Sequence, residues 1–261
     1  MIRRNPSRQG VEAGAARIRS AVTRTPLLPL SVAGIRLWAK AECLQTGGSF
    51  KLRGATNRLL LLSEEERGRG VVAFSSGNHA QGVAIAARRL GIAATIVMPA
   101  DAPAVKRDAT AAAGAQIVPY DRTRESREEI GARLARETGA TLVPSFDDVD
   151  IIEGQGSVGV ELREQMEGAP DKVVVPCGGG GLSAGIALAL PETEIVIVEP
   201  EGWDDMGRSI AVGQPVPVAD DAPPTRCDAL QTKLVSPLTL DALSQQGARA
   251  VSVTEAEVEA A

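Results

Sequence analysis

The sequence predicts an α/β protein in which parallel strands are covered by helices on both faces. From Val71 onward, short β-rich runs alternate with Ala-rich stretches of helical length, the βαβ rhythm of a parallel sheet. Pro, Gly and Asp gather at 99–103 and 144–150, where the chain crosses from one element to the next.

Each element follows from its local pattern. The N-terminus, Met1-Ile2-Arg3-Arg4, leads into an Arg/Ala-rich segment that reads as helical and lacks the apolar core of a signal peptide. Strands are expected at 71–74, 94–98, 116–119, 141–143, 172–175 and 194–198, and helices at 80–90, 124–138, 157–165 and 182–190. The stretch 213–224 reads as a long loop. Ala250 to Val253 resembles a strand, and Thr254-Glu255-Ala256-Glu257 an N-capped helix start, yet the sequence ends at Ala261. A helix of about two turns is marginal alone, so a C-terminally shortened form of something longer is expected.

Composition narrows the chemistry. The chain has 261 residues and a formal net charge of -5, which argues against a nucleic-acid or anionic-membrane partner. Hydrophobic residues make up 44% but no run approaches the ~20 needed to span a membrane. The default location is therefore the cytoplasm. Cys43, Cys177 and Cys227 are widely spaced and form no metal or redox motif, so free buried thiols are expected. With His79 the single histidine, neither a Ser-His-Asp triad nor a His-rich zinc site is available elsewhere. Catalysis must then use lysine, serine, carboxylates or a cofactor.

Three segments carry candidate chemistry. In Thr46-Gly47-Gly48-Ser49-Phe50-Lys51-Leu52-Arg53-Gly54-Ala55, glycines precede a lysine that opens a helical pattern, flanked by Phe50 and Leu52. Desolvation lowers the proton affinity of such an amine, and the neutral form is able to make a Schiff base with an aldehyde. The second is Ser75-Ser76-Gly77-Asn78-His79, between a strand and an Ala-rich helix. It reads as a carboxylate site of backbone N–H groups and hydroxyls, or as plain N-capping. The third is Cys177-Gly178-Gly179-Gly180-Gly181-Leu182, strand to helix. Four glycines are entropically costly, and backbone wrapped around a phosphate explains them better than a turn does. The loop lacks the Gly-Lys-Ser/Thr ending of a nucleotide P-loop. Gly154, Gly156 and Gly159 match a dinucleotide spacing, but the acidic approach Asp147 to Glu153 does not suit a buried strand, so helix entry and tight packing are expected there.

Ser-Phe-Lys-x-Arg-Gly-Ala, Ser-Ser-Gly-Asn-His and a tetraglycine loop, in this order, resemble the fold-type II pyridoxal-phosphate enzymes. The likeness runs from about Ile18 to the end and is strongest to serine/threonine dehydratases and serine racemases. It implies two domains, each a mostly parallel twisted sheet flanked by helices: 1–70 with 150–261, and 71–149. It implies further that Lys51 holds pyridoxal 5'-phosphate, that Phe50 packs on the ring and that Asn78 bonds its hydroxyl. Gly178, Gly179, Gly180, Gly181 and Leu182 would bind its phosphate.

The implied reaction is dehydration of L-threonine or L-serine, a small hydroxy amino acid, to a 2-oxo acid and ammonia, with Lys51 removing the Cα proton. Ser75, Ser76, Gly77, Asn78 and His79 would hold the substrate carboxylate, with His79 a structural residue. In racemases of this type a serine at the place of Ser76 reprotonates Cα from the opposite face; the alternative is that Ser76 only caps the loop. Racemisation, 3-hydroxyaspartate dehydration and an inactive ligand-binding homologue are the other readings. The likeness also implies a Mg²⁺ or Ca²⁺ site from Glu199, the Trp203 carbonyl and Asp205, against the alternative of a solvated acidic loop, and a homodimer. The serine or threonine that the family places beside the pyridine nitrogen has no counterpart before Ala261, and no feedback-regulatory domain is expected.

Overall fold

The computed structural model describes residues 4–261. Two compact units make up the chain: Ala16–Ser145, and the residues up to Ala15 with Phe146–Ala261.

Helix α1 (Arg8–Ile18) opens the chain and is followed by an antiparallel hairpin, β1 (Leu27–Val32) and β2 (Ile35–Lys40). Its two-residue turn, Ala33-Gly34, has positive φ at both positions, the geometry that suits the twist of a hairpin. Next come α2 (Lys51–Leu60) and α3 (Glu64–Arg69), the latter opened by a capping box between Ser63 and Glu66. Then β3 (Val71–Phe74), α4 (Asn78–Leu90), β4 (Ala94–Pro99), α5 (Ala104–Ala112), β5 (Gln116–Tyr120), α6 (Arg127–Thr138) and β6 (Thr141–Leu142) alternate. Their four strands form a parallel sheet in the order β5-β4-β3-β6, and Val72, Val97 and Tyr120 on it make a core cluster with Ile130 of α6.

The second unit continues with α7 (Val149–Gln155), α8 (Ser157–Gln165), β7 (Lys172–Pro176), α9 (Gly181–Ala189), β8 (Glu194–Pro200) and α10 (Asp205–Val212). It ends with α11 (Pro237–Gln246), β9 (Arg249–Val253) and α12 (Glu255–Ala260). The strands β7-β8-β9 form a three-stranded parallel sheet.

The α/β class and the expected strands are present, and no helix or strand interrupts 213–224. Helix α6 starts at Arg127 and not at 124, because Ser126 caps it, its Oγ accepting from Glu129 N at 3.2 Å. The hairpin and helices α3, α5, α10 and α11 are additions to what the sequence led us to expect. The glycines at 154, 156 and 159 lie across α7 and α8, with Asp148 capping α7. A Cβ at Gly156 would fall 2.7 Å from Gly185 O, and one at Gly159 2.7 Å from Ala189 Cβ, so these glycines serve close packing on α9. The three cysteines are free; only Cys177 is buried and Cys43 is exposed, because Cys43 sits in a surface 3-10 turn. Among the described residues, no helix is long and apolar enough to cross a membrane.

Candidate active site

In the first unit, Lys51 is the first residue of α2. The chain reaches it through Gly47 and Gly48, whose φ of +82° and +74° lie where L side chains are strained. Its half-buried side chain donates from Nζ to Ser145 O at 3.0 Å and lies 5.2 Å from the centre of the Phe50 ring. Desolvation draws its pKa from 10.5 down to about 8. This is the proton-lean amine that the sequence argument required.

The loop Ser75-Ser76-Gly77 connects β3 to α4. Ser75 Oγ accepts from Gly77 N at 3.2 Å, a local turn bond, while Ser76 is half-buried and Asn78 exposed at the helix start. Helix α4 crosses the start of α2 closely: a Cβ at Gly82 would lie 2.9 Å from the Lys51 carbonyl carbon. His79 is buried, with Nε2 at 2.9 Å from Val143 O and Nδ1 without a partner among the described residues. Because a carbonyl only accepts, Nε2 carries a proton. Burial first, and then the Lys51 charge, hold its pKa near 3 despite the Val143 bond. A ring with that pKa is a poor proton carrier at neutral pH, in keeping with a structural role.

Val143 and Ser145, whose carbonyls take these two bonds, were not expected in the site. They lie more than sixty residues from His79 and ninety from Lys51 in sequence. No local pattern announces such a pairing.

In the second unit, β7 ends at Pro176 and the chain passes through Cys177 into Gly178, Gly179, Gly180 and Gly181, where α9 starts. Gly180 has φ +82° and offers no side-chain cap, leaving the first N–H groups of α9 without a side-chain acceptor among the described residues. A Cβ at Gly179 would fall 2.3 Å from the Phe146 ring, and one at Gly180 2.5 Å from Met206 Cε. Gly178 would meet Thr232 Oγ1 at 3.1 Å. Wall packing therefore demands glycine here as well as any bound anion would. Leu182 is half-buried in the first turn of α9. The Cys177 thiol, 3.5 Å from Ser183 Oγ, is pushed up in pKa by burial and then by the Glu199 charge, so it is inert. An uncapped helix start after a glycine loop fits a phosphate.

Glu199 and Asp205 are 1% and 0% exposed. Glu199 accepts from Met206 N at 2.9 Å and Gly207 N at 2.8 Å, at the start of α10. Both carboxylate oxygens of Asp205 are buried without a partner from another residue among the described residues. Desolvation lifts both pKa values to about 7; backbone N–H groups oppose this in each, and Arg208 does so for Asp205. Trp203 is half-buried, its N donating to Pro200 O at 2.9 Å and its Nε1 to Pro223 O at 2.8 Å. Among the described residues no group of three or more His, Cys, Asp or Glu side chains is placed for a metal. What is present is a pair, and unpartnered oxygens buried beside a second carboxylate fit a hard cation completed by carbonyls and water.

A family model described as "Pyridoxal-phosphate dependent enzyme" matches residues 18–261. An L-threo-3-hydroxyaspartate ammonia-lyase of Saccharomyces cerevisiae is 43% identical over 250 residues, 93% of this chain and 76% of the relative. Among solved structures, maize serine racemase superposes with a TM-score of 0.92 at 36% identity, covering 99% of this chain and 80% of that one. A threonine deaminase from T.th. gives a TM-score of 0.90 at 41% identity, covering 98% and 85%.

Proposed function

The chain belongs to the pyridoxal-phosphate-dependent enzyme family, and on that premise we propose that it is an ammonia-lyase that dehydrates a small β-hydroxy amino acid to a 2-oxo acid and ammonia. The observation that carries the reading is Lys51: an amine at a helix start, desolvated to a pKa of about 8, inside the Ser-Phe-Lys-x-Arg-Gly-Ala segment. When bound, pyridoxal phosphate supplies an aldehyde for an amine and a ring that takes up negative charge developing at Cα.

Lys51 Nζ would hold the cofactor's aldehyde and would serve as the base for the substrate Cα proton; a pKa near the working pH suits both tasks. The uncapped start of α9 and the N–H groups of Gly178, Gly179, Gly180, Gly181 and Leu182 would receive its phosphate. Phe50 would pack on the ring and Asn78 would bond its hydroxyl. The substrate carboxylate meets Ser75, Ser76, Gly77, Asn78 and the His79 N–H. Neutral His79 holds the segment after β6 by its bond to Val143 O and moves no proton. Glu199, Asp205 and the Trp203 carbonyl would hold a Mg²⁺ or Ca²⁺ ion of structural use. A homodimer and a cytoplasmic location complete the proposal.

Racemisation of serine is the second reading, favoured by the half-buried hydroxyl of Ser76 and the likeness to maize serine racemase. The first test is the visible absorbance of the purified chain with pyridoxal phosphate beside Lys51→Ala. A yellow band absent from the variant is expected; no band in a folded wild-type chain defeats the reading. Oxo-acid release from L-serine, L-threonine and 3-hydroxyaspartate then ranks substrates, and chiral analysis of the remaining serine separates elimination from racemisation.

A further inference from the structure

We propose that Arg53, forked on Glu42, is a positioning residue for Lys51: the pair fixes the first turn of α2 and thereby the point from which the lysine side chain extends. The inference rests on the function proposed above for Lys51.

Arg53 is 0% exposed and heads the large side chains that are fully buried. Its Nε donates to Glu42 Oε2 and its Nη2 to Glu42 Oε1, both at 2.8 Å. Nη2 also reaches Thr23 O at 3.3 Å and Thr25 Oγ1 at 3.4 Å. Thr25 Oγ1 in turn donates to Glu42 Oε1 at 2.5 Å, and Lys40 Nζ donates to Thr25 O at 2.7 Å. Burying an arginine is a poor way to gain stability, since a well-packed apolar pair often does as well or better. The better-attested use of such a pair is to fix one arrangement among several.

What it fixes is visible in the chain path. Glu42 lies in the 3-10 turn Glu42–Leu44 and Arg53 in the first turn of α2, so the pair closes a loop spanning 11 positions that contains Lys51. Gln45 fastens the middle of this loop, accepting from Thr23 N at 2.9 Å and donating to Thr23 O at 2.7 Å. Beyond it come Gly47 and Gly48, both at positive φ with Gly48 N donating to Gln45 O at 2.8 Å, and then Phe50, which gives α2 no side-chain cap among the described residues. Without a cap, the turn that bears Lys51 would fray. The anchors that prevent this are Arg53, two residues on, and the backbone of Lys51 itself pressed against Gly82. A reacting group displaced by 1 Å loses on the order of a hundredfold in rate, so the anchors matter to chemistry out of proportion to their share of stability.

The test is the double substitution Glu42→Leu with Arg53→Met, which removes both buried charges together and keeps bulk. Three quantities are read: the melting temperature, the pH midpoint of Lys51 acetylation in the cofactor-free chain by peptide mass spectrometry, and the dissociation constant for pyridoxal phosphate from its visible band. We expect melting within a few degrees of wild type, a labelling midpoint that climbs from about 8 toward 10.5, and a dissociation constant at least tenfold higher. His79 stays neutral across that range and contributes nothing to the midpoint. A midpoint and dissociation constant unchanged within twofold overturn the proposal. Should the double variant not fold, Arg53→Lys decides, since it keeps the charge and loses the fork: the same upward shifts support the pair, and wild-type values refute it. If the wild-type chain forms no band at all, the functional reading fails, and the labelling midpoint alone still judges Arg53.

Discussion

Desolvation that lowers the Lys51 pKa to about 8 also burdens the cofactor-free fold, because the amine is still largely charged at pH 7. The unfolded chain keeps the ordinary value of 10.5, so between about pH 8 and 10.5 it holds the extra proton and stability rises with pH. Below pH 8 the cost is complete, and above 10.5 it is gone. Lys51→Met should therefore resist urea better than wild type at pH 7, by about 2 kcal/mol after discounting for its partial exposure, with the gap closing as the pH approaches 10.5. A gap that does not vary with pH would mean that the amine is well solvated. Asp205 poses a parallel problem, with two buried oxygens and, among the described residues, no partner from another residue. In chelator, Asp205→Asn should melt no lower than wild type; with millimolar Mg²⁺ or Ca²⁺ only the wild type should gain melting temperature. Lys51, the tetraglycine loop and Ser75 to His79 could be singled out as candidates from the sequence because their patterns are local. Ser145, Phe146 and Met206 could not, since nothing in their neighbours says which distant residue they will meet.

At the scale of elements, legibility followed length and composition. Between 71 and 200, β-branched runs of four to seven residues alternate with Ala-rich helices, and the strands β3, β4, β5, β7 and β8 fell where the pattern put them. The hairpin β1–β2 escaped because its turn is Ala33-Gly34 and Pro29 interrupts the first strand, both weak strand signals. Helix α3 is only six residues long, yet its Ser63-x-x-Glu66 capping box was a usable sign. Helix–helix crossings are the other feature that composition hides. A Cβ at Gly185 in α9 would lie 2.5 Å from both Ile152 O and Gly156 N, backbone atoms that have no rotamer to yield. Gly185→Ala should accordingly cost about 2–3 kcal/mol in urea melts, as overpacking does. Since α9 carries the tetraglycine loop at its start, the same variant should weaken pyridoxal phosphate binding measured by the visible band. Unchanged stability would show that α7 and α9 separate easily.

Over the whole molecule, with a net charge of -5 and, among the described residues, no helix long and apolar enough to cross a membrane, the exposed apolar face of the hairpin calls for an explanation. Alternate positions of the hairpin, Leu28, Leu30 and Val32 on β1 with Leu37 and Ile35 on β2, share one sheet face through the pairs Leu30↔Leu37 and Val32↔Ile35. All five are exposed, Ile35 at 67%. Apolar side chains that meet water in the folded chain as in the unfolded one contribute little to folding, and their replacement moves stability by no more than about 0.5 kcal/mol. Contiguous patches of this kind instead promote association. The double substitution Leu30→Lys with Ile35→Glu should then leave the urea midpoint in place and lower the concentration-dependent light scattering of the chain. A drop in the urea midpoint measured at low concentration would reverse the inference: it would mean that this face is covered in solution, and that the stability of the fold depends on whatever covers it.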